Sequence, residues 1–388
     1  MRRIFVIGTF SIILLFFLVV VLKDNFVNKE KSKDTTMSDN QIGEKVEFDT
    51  IEENDISQWA LFNSGGAYFS SRFSNEWEAD QRITRDGIDI NYSGQNLKVK
   101  RKVTVAIIDT GIDISQINDM NLWTNDEEIP DDGIDNDGNG YIDDYFGWNF
   151  CDNNSKITSE QFNDNVHGTF VAGILAAKSK NYKAILTDSK FKIMCIKALE
   201  GTEGTGNVFN VIKAIKYAEK SGAQICNLSL CMYAYSEELK KAMERSSMLF
   251  IVSAGNDSAE INDDTNIYPT SFRLKNVISV GNVRFDGNLS KTSNYGKYVD
   301  IAAPGTDIIS TISDNKFGCI SGTSCATPYV TGLAAIISGC SMKQQKSQGI
   351  KGTICQNAAY HKQLSGYISK GRMIDFDRAI SKCNHLIQ

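Results

Sequence analysis

Three short segments of this 388-residue chain each contain a residue type that nucleophilic catalysis requires. Asp109 lies in A-I-I-D-T-G-I-D, His167 in N-V-H-G-T-F-V-A-G and Ser324 in S-G-T-S-C-A-T-P. A serine hydroxyl becomes an effective nucleophile when a neighbouring imidazole takes its proton, and a carboxylate can hold that imidazole in the required tautomer. The segments therefore predict Ser324 as a nucleophile, His167 as its general base and acid, and Asp109 as the orienting carboxylate.

Each of these residues also has a structural interpretation when it is taken alone. An Asp after a strand is commonly a turn former, a Ser in Gly-Thr-Ser can cap a helix, and a single His is often structural. The chain has only three histidines, and His361 and His385 lie in a polar C-terminal region. His167 is followed by a glycine and an apolar helical pattern, so the three segments together favour catalysis over the separate structural roles.

The three segments resemble the triad motifs of the subtilisin (subtilase) family, D-T/S-G, H-G-T-x-V-A-G and G-T-S-x-A-x-P. The order Asp, His, Ser along the chain is also the order found in subtilisin. The resemblance extends over about residues 59 to 380 and implies a serine endopeptidase that acts on polypeptide substrates. Two motif positions differ from the common pattern, because Phe170 replaces a second histidine and Cys325 replaces a methionine.

The resemblance also implies an oxyanion donor and a substrate groove. The segment S-A-G-N, which ends at Asn256, is similar to the family's oxyanion-hole segment, so the Asn256 side chain and the backbone N–H of Ser324 are expected to stabilise the tetrahedral intermediate. Cys231 replaces a glycine that is usual in the strand pairing with substrate. The residues expected to contact substrate are Ser229, Leu230, Cys231, Ala254, Gly255 and Ile267.

The residues expected at the primary specificity pocket leave two alternatives open. A branched side chain at Ile267 predicts a shallow pocket that favours small or medium apolar groups before the scissile bond. Asp257, which follows the oxyanion donor, would instead favour Lys or Arg if its carboxylate lay at the rim of the pocket.

An acidic loop lies between Asp109 and His167. Residues 125–144 contain nine carboxylates and no Lys or Arg, a density of like charge that is unfavourable in a folded protein unless cations neutralise it. The sequence D-N-D-G-N-G-Y-I-D matches the first nine positions of a calcium loop, although Phe146 stands where a bidentate Glu is usual. Asp144, Asp132 or Glu128 could supply the missing oxygen, and a solvated acidic loop is the alternative. The expected Ca²⁺ ligands are Asp135, Asp137, Asn139, the Tyr141 carbonyl and Asp143.

The segments that carry these residues belong to an alternation of strand and helix patterns. Residues 103–109 and 191–198 are apolar runs typical of buried strands, 208–220 show helical spacing, and 324–339 predict a helix that begins at the nucleophile. Further strand patterns lie at 223–230, 248–253 and 277–280. This order predicts an α/β fold of three layers, with a mostly parallel central sheet and helices on both faces. Functional residues then gather at the carboxyl ends of the strands.

The first 22 residues differ in character from the rest of the chain. Two arginines precede an apolar stretch at 4–22 that is long enough to cross a bilayer as a helix, and this positive flank predicts that the remainder faces outside. A cleaved signal peptide, which would give a secreted protein, is the alternative. Residues 23–53 are polar and typical of a flexible stalk, and residues 54–388 form the expected peptidase domain.

The composition is that of a globular protein, with 41% hydrophobic and 23% charged residues. A formal net charge of -6 argues against a nucleic-acid partner, which usually requires a basic surface. Nine cysteines, an odd number without zinc-binding spacing, are expected to be mostly reduced core thiols rather than a disulfide framework. We therefore expect a membrane-anchored, calcium-dependent, extracellular serine endopeptidase with a monomeric catalytic domain. The alternatives are a maturation protease for one exported precursor and a non-catalytic binding module on the same fold.

Overall fold

The computed structural model describes residues 36–37, 60–63, 90–92, 97–159, 164–180, 182–201 and 204–385. The expected anchor at 1–22 lies outside these residues, and so does the expected stalk at 23–53 apart from residues 36 and 37. Within the described part of the chain, no helix is both long enough and apolar enough to span a membrane.

Nine strands of the described residues form the central sheet, and two more form a separate antiparallel hairpin. The strands are β1 (Val103–Asp109), β2 (Gly147–Asn149), β3 (Phe191–Lys197), β4 (Ile225–Leu228), β5 (Leu249–Ser253), β6 (Val277–Val283), β7 (Ile301–Pro304), β8 (Ile308–Ile312), β9 (Lys316–Ile320), β10 (Ala359–Tyr360) and β11 (Arg372–Met373). The hairpin pairs β8 with β9. In the sheet the order is β10-β11-β7-β6-β5-β4-β1-β3-β2, and all neighbours run parallel except β10 and β11.

Six α-helices occur in the described residues, and shorter elements connect them. The helices are α1 (Val166–Ala176), α2 (Val208–Lys220), α3 (Glu237–Arg245), α4 (Thr323–Cys340), α5 (Ser347–Asn357) and α6 (Phe376–His385). The 3-10 helices are Ile114–Gln116, Asp119–Asn121, Thr270–Phe272, Lys362–Leu364 and Ser369–Gly371. Short strands lie at Thr36–Met37, Phe62–Asn63, Ile90–Asn91, Leu199–Glu200 and Thr205–Asn207.

The sheet has an apolar core on each face, because successive side chains of a strand point to opposite sides. Val105 and Ile107 of β1 belong to a core that includes residues of α1, α4, α5 and α6. Ala106 and Ile108 belong to a second core that includes residues of α2 and α3. All seven residues of β1 are buried, as expected of a strand covered on both faces. The predicted three-layer α/β fold is therefore confirmed.

The position of β1 in the sheet determines where functional residues collect. β1 lies between β3 and β4, so the chain builds the sheet first to one side of β1 and afterwards to the other. At such a reversal the connections leave in opposite directions and open a crevice at the carboxyl ends of the strands. Asp109 is the last residue of β1 and lies at this edge.

Most of the cysteines with described side chains lie in the apolar core. None of the eight cysteines with described side chains is in a disulfide, and five of them are buried. Cys195 and Cys226 lie within β3 and β4, as small apolar residues would.

Candidate active site

Asp109 is held at the end of β1 by the turn that follows it. Its side chain is fully buried, and the backbone N–H of Thr110 donates to Asp109 Oδ1 at 2.7 Å. Gly111 has a φ of +109°, a conformation that glycine adopts without steric cost. The Asp-Thr-Gly motif is therefore a turn that directs one carboxylate out of the end of the sheet.

His167 is the second residue of α1 and meets Asp109 directly. The distance from His167 Nδ1 to Asp109 Oδ1 is 2.8 Å. Gly168 allows this approach, because a Cβ on it would lie only 2.1 Å from the carbonyl oxygen of Gly111. The Gly168 N–H also donates to Thr110 Oγ1 at 3.2 Å. With a proton on Nδ1 donated to the carboxylate, Nε2 is left as the acceptor that a general base needs.

Ser324 is the second residue of α4, and its backbone carbonyl is fixed from outside the helix. Pro328 lies four residues further on and has no N–H, so it cannot donate the usual helical hydrogen bond to that carbonyl. Ser229 Oγ donates to it instead, at 3.1 Å. Asn227 Nδ2 donates to Ser229 Oγ at 2.9 Å, and the Thr331 hydroxyl donates to Asn227 Oδ1 at 2.7 Å. A chain of side-chain hydrogen bonds thus connects β4 to the nucleophile.

The hydroxyl of Ser324 and the amide of Asn256 face the same space beside Gly322. A Cβ placed on Gly322 would lie 3.2 Å from Ser324 Oγ and 3.3 Å from Asn256 Nδ2. Asn256 Oδ1 accepts a hydrogen bond from the Thr323 N–H at 2.8 Å, which orients the amide and turns Nδ2 toward that space. Ser324 Oγ is buried and makes no hydrogen bond to the described residues. This arrangement suits an oxyanion that develops next to the nucleophile.

The helices that carry His167 and Ser324 pack against each other. Each residue lies in the first turn of its helix, and the N-terminal amides of α4 favour negative charge beside Ser324. The structure thus joins Asp109 to His167 by a measured contact, places Asn256 next to Ser324, and brings the two helices together.

The six residues expected to contact substrate lie in three buried segments, at 229–231, at 254–255 and at 267. Cys231, Ala254 and Ile267 share one apolar cluster, and Cys231 and Ile267 are each 1% exposed. The Cys231 sulfur lies 3.2 Å from the position of a Cβ on Gly255. The segments of Cys231 and Ile267 are joined by two backbone hydrogen bonds of 2.8 Å between Met232 and Tyr268. Leu230 points into the core on the other face of the sheet, and Ser229 holds the Ser324 carbonyl.

The acidic loop brings three carboxylates together. Oxygens of Glu128, Asp137 and Asp144 lie within 4.8 Å of one another. Asn139 Nδ2 donates to Asp137 at 2.9 Å and to Asp144 at 3.0 Å. Glu128 and Asp144 are almost fully buried, and this burial raises the pKa of Asp144. Within the described residues, the hydrogen-bond donors to this cluster are amide N–H groups and the Tyr217 hydroxyl, none of which is cationic.

The other expected calcium ligands have different contacts. Asp135 accepts from the backbone N–H groups of Asn139 and Gly140, at 3.0 and 2.9 Å, which closes the loop on itself. Asp143 accepts from the backbone N–H of Asp132 at 3.0 Å. The Tyr141 N–H donates to Asn139 Oδ1 at 2.7 Å. Of the expected ligands, Asp137 lies in the carboxylate cluster, together with two of the residues named as substitutes for the missing Glu.

Comparison with known proteins places this site in a family. The model of the subtilase family matches residues 100–373, which include all three triad residues. The chain belongs to the subtilase family. The resemblance inferred from the motifs is thereby confirmed.

The subtilase is similar to longer proteins. It is 37% identical over 195 residues to a thermophilic serine proteinase of a Bacillus species, covering 49% of this chain and 46% of the relative. It is 31% identical over 299 residues to subtilisin-like protease 1 of Plasmodium falciparum, covering 70% of this chain and 42% of the relative. The chain therefore spans less than half the length of both relatives. A solved cold-adapted subtilisin-like serine proteinase matches with a TM-score of 0.56 and 24% identity, over 75% of this chain and 95% of that one, and supports the fold.

Several residues of the subtilase site were not identified from the sequence. Thr110, Thr323 and Asn227 hold the segments of the predicted catalytic residues through hydrogen bonds to Gly168, Asn256 and Ser229. Thr110 and Thr323 lie inside the recognised motifs, but nothing in the sequence shows which of their atoms would be used. Lys197 had a detectable signal, because a lysine that ends a strand with the apolar run Ile193–Ile196 directly before it requires buried acceptors.

Proposed function

We propose that this subtilase is a serine endopeptidase that hydrolyses peptide bonds through an acyl-enzyme. The 2.8 Å contact between His167 Nδ1 and Asp109 Oδ1, on a helix that packs against the helix beginning at the buried Ser324, carries the proposal. Both relatives described above are named as proteinases or proteases, which supports it.

In the proposed reaction, each residue has one task. His167 Nε2 takes the proton of Ser324 as Oγ attacks the scissile carbonyl carbon, and Asp109 stabilises the imidazolium that forms. The oxyanion accepts hydrogen bonds from Asn256 Nδ2 and from the Ser324 N–H. His167 then gives the proton to the leaving amine, and a water molecule repeats the sequence on the ester. Peptide is released and the Ser324 hydroxyl is restored.

The substrate backbone binds along the segment that contains Ser229, Leu230 and Cys231, as an added strand. The side chain before the scissile bond enters the space bounded by Cys231, Gly255 and Ile267. Because the Cys231 sulfur lies 3.2 Å from the position of a Cβ on Gly255 and Ile267 is branched, the pocket would be shallow and would prefer small or medium apolar groups. Asp257 Oδ2 accepts from Asn294 Nδ2 at 3.0 Å, whereas Oδ1 accepts no hydrogen bond from the described residues and would be the atom that draws in Lys or Arg.

Calcium binding at the acidic loop is part of the proposal. Three convergent carboxylates, which accept hydrogen bonds only from neutral groups among the described residues, suit a hard cation with oxygen ligands. Glu128, Asp137 and Asp144 would hold the ion, with Asp135, Asn139, Asp143 and the Tyr141 carbonyl in the surrounding loop. The ion would neutralise the loop and stabilise the connection between β1 and α1. The proposal also includes a membrane anchor at residues 1–22, with the catalytic domain outside the cell.

The test of hydrolysis uses a fluorophosphonate probe and a peptide library. Parent enzyme should be labelled and should cleave peptides, whereas Ser324→Ala should do neither, with an unchanged melting temperature and circular dichroism spectrum. Ser338→Ala, on the same buried helix but far from its N-terminus, is the control and should behave as the parent. Labelling or turnover that persists in Ser324→Ala would contradict the assignment, and an inert parent would favour a binding module.

A further inference from the structure

A buried ammonium group lies beside the catalytic carboxylate. Lys197 is the last residue of β3 and pairs in register with Asp109 of β1. Its side chain is only 2% exposed. Nζ donates to the Thr110 carbonyl at 2.6 Å, to the Leu199 carbonyl at 2.9 Å and to Asp164 Oδ2 at 2.9 Å. All three ammonium protons therefore have acceptors, as a buried lysine requires.

Two of these acceptors belong to the segments that carry catalytic residues. Thr110 directly follows Asp109, and its N–H donates to the Asp109 carboxylate at 2.7 Å. Asp164 precedes His167 by three residues and lies just before the start of α1. One ammonium group thus binds the turn after Asp109 and the segment that leads into the His167 helix.

Further contacts keep the segment before α1 in place. The second carboxylate oxygen of Asp164 accepts from the Gly201 N–H. The Asn165 side chain exchanges hydrogen bonds of 2.8 and 2.7 Å with the backbone of Ser159. A Cβ on Gly111 would lie 2.7 Å from Asn165 Oδ1, so the two segments are already in close contact. Lys197 is the cationic link between them.

We propose that Lys197 is a positioning residue for the hydrolysis, which acts through Thr110 and Asp164 to fix the Asp109 carboxylate against His167. The inference rests on the proposed function and assigns a role to a residue outside the triad and the oxyanion donor. Small displacements of catalytic groups reduce the rate of the chemical step more than they weaken substrate binding. The substrate segments follow β4 and β5, on the other side of β1 from Lys197, so KM should be insensitive to this residue.

The first test is Lys197→Met, which keeps the length of the side chain and removes its charge and donors. We expect kcat to fall by about tenfold to a hundredfold, with KM within about twofold of the parent value. Lys192→Met is the matched control on the same strand, because Lys192 Nζ donates to the Met120 carbonyl at 2.7 Å, away from the triad. A kcat in Lys197→Met equal to that of Lys192→Met would overturn the inference.

A double variant separates positioning from charge neutralisation. Lys197→Met combined with Asp164→Asn contains no unpaired charge at this position, so its melting temperature should return toward that of the parent. We expect kcat to stay low, because the link between the two segments is still absent. A kcat that recovers together with the melting temperature would show that Lys197 only neutralises Asp164, and the inference would be wrong.

Asp164→Asn alone provides a test if Lys197→Met does not fold. It keeps the bonds from Lys197 to Thr110 and Leu199 and weakens the link to α1, so kcat should fall with little change in KM. A kcat equal to the parent value would contradict the inference. Failure of the proposed function is distinguishable, because the parent and Lys192→Met would then also be inactive.

Discussion

At the scale of single residues, both ends of the Asn256 amide have a place in the proposed mechanism. Its oxygen accepts from the Thr323 N–H at 2.8 Å, and its nitrogen faces the same space as the Ser324 hydroxyl. The first contact orients the second, so the donor is in place before charge develops. Hydrogen bonds that are preorganised in this way stabilise a transition state without a reorganisation cost during the reaction.

Asn256→Ala should lower kcat by about 10²–10³ with little change in KM, the effect known for the corresponding donor of subtilisin, a member of the same family. Asn256→Asp keeps an acceptor for the Thr323 N–H but has no donor, so it should be at least as slow. Steady-state kinetics on one peptide substrate measure both variants. An effect confined to KM would indicate that Asn256 binds substrate instead.

The proposed pocket next to Gly255 predicts which side chain the enzyme accepts before the scissile bond. Parent enzyme should prefer Ala over Phe before the scissile bond, because the buried side chains of Cys231 and Ile267 would limit the volume of the proposed pocket. Cys231→Gly and Ile267→Gly should each raise kcat/KM for Phe relative to Ala by about tenfold or more. Cys226→Ala, in β4 and facing the other core, is the control. A parent preference for Phe, or for Lys or Arg, would contradict the prediction.

At the scale of elements, the bounds of strands and helices were predicted best where the pattern of buried residues is strong. β1 and α2 have the predicted bounds, because a run of seven buried residues and a regular helical period are both strong patterns. β2, β7, β10 and β11 were not predicted, since strands of two to four residues show little pattern and depend on hydrogen bonds from distant partners.

The same limit applies within the site. Asp109, His167 and Ser324 could be assigned because each lies in a motif with a defined chemical task. The roles of Ser229 and Lys197 could not, because they depend on which carbonyl oxygens the fold brings near, over separations of 95 and 87 residues. In the acidic loop, Glu128 lies with Asp137 because the chain folds back, which a linear spacing rule does not represent.

The acidic loop lies between β1 and β2 in the connection from β1 to α1, and removing the proposed cation should loosen that connection. A ligand that binds only the folded state stabilises it by about 2.7 kcal/mol at a hundredfold excess over its Kd. The melting temperature should therefore fall in EDTA, and Asp144→Asn and Asp137→Ala should reduce the difference between calcium and EDTA. Asp131→Asn, exposed in the same loop, should keep the full difference. Identical melting curves of the parent in calcium and in EDTA would show that the loop does not bind calcium and is a solvated acidic loop.

At the scale of the whole molecule, the described peptidase domain is one part of the proposed protein. The apolar stretch at 4–22 follows two arginines, and the polar residues 23–53 separate it from the domain. A stalk of this composition would allow the active site to reach substrates at a distance from the membrane.

Most of the full-length protein should remain with membranes after a high-salt wash, because burial in hydrocarbon is not screened by ions. Deletion of residues 1–22 should release it in an active form. Fractionation followed by peptide cleavage measures both outcomes. A mature protein in the medium that begins near Lys23 would show cleavage of a signal peptide, and release by salt alone would indicate a peripheral attachment.

The burial of the thiols has a consequence for the chemical surroundings that the enzyme tolerates. Burial raises the pKa of Cys195 to about 12 and that of Cys355 to about 11, and it also raises the pKa of Cys226. At pH 7 only about one Cys355 in ten thousand is then a thiolate, the form that reacts with oxidants and alkylating agents. Among the cysteines with described side chains none forms a disulfide, and the thiols of Cys195, Cys226 and Cys355 should react slowly with an oxidant. Its stability should therefore be nearly independent of whether the medium is reducing or oxidising.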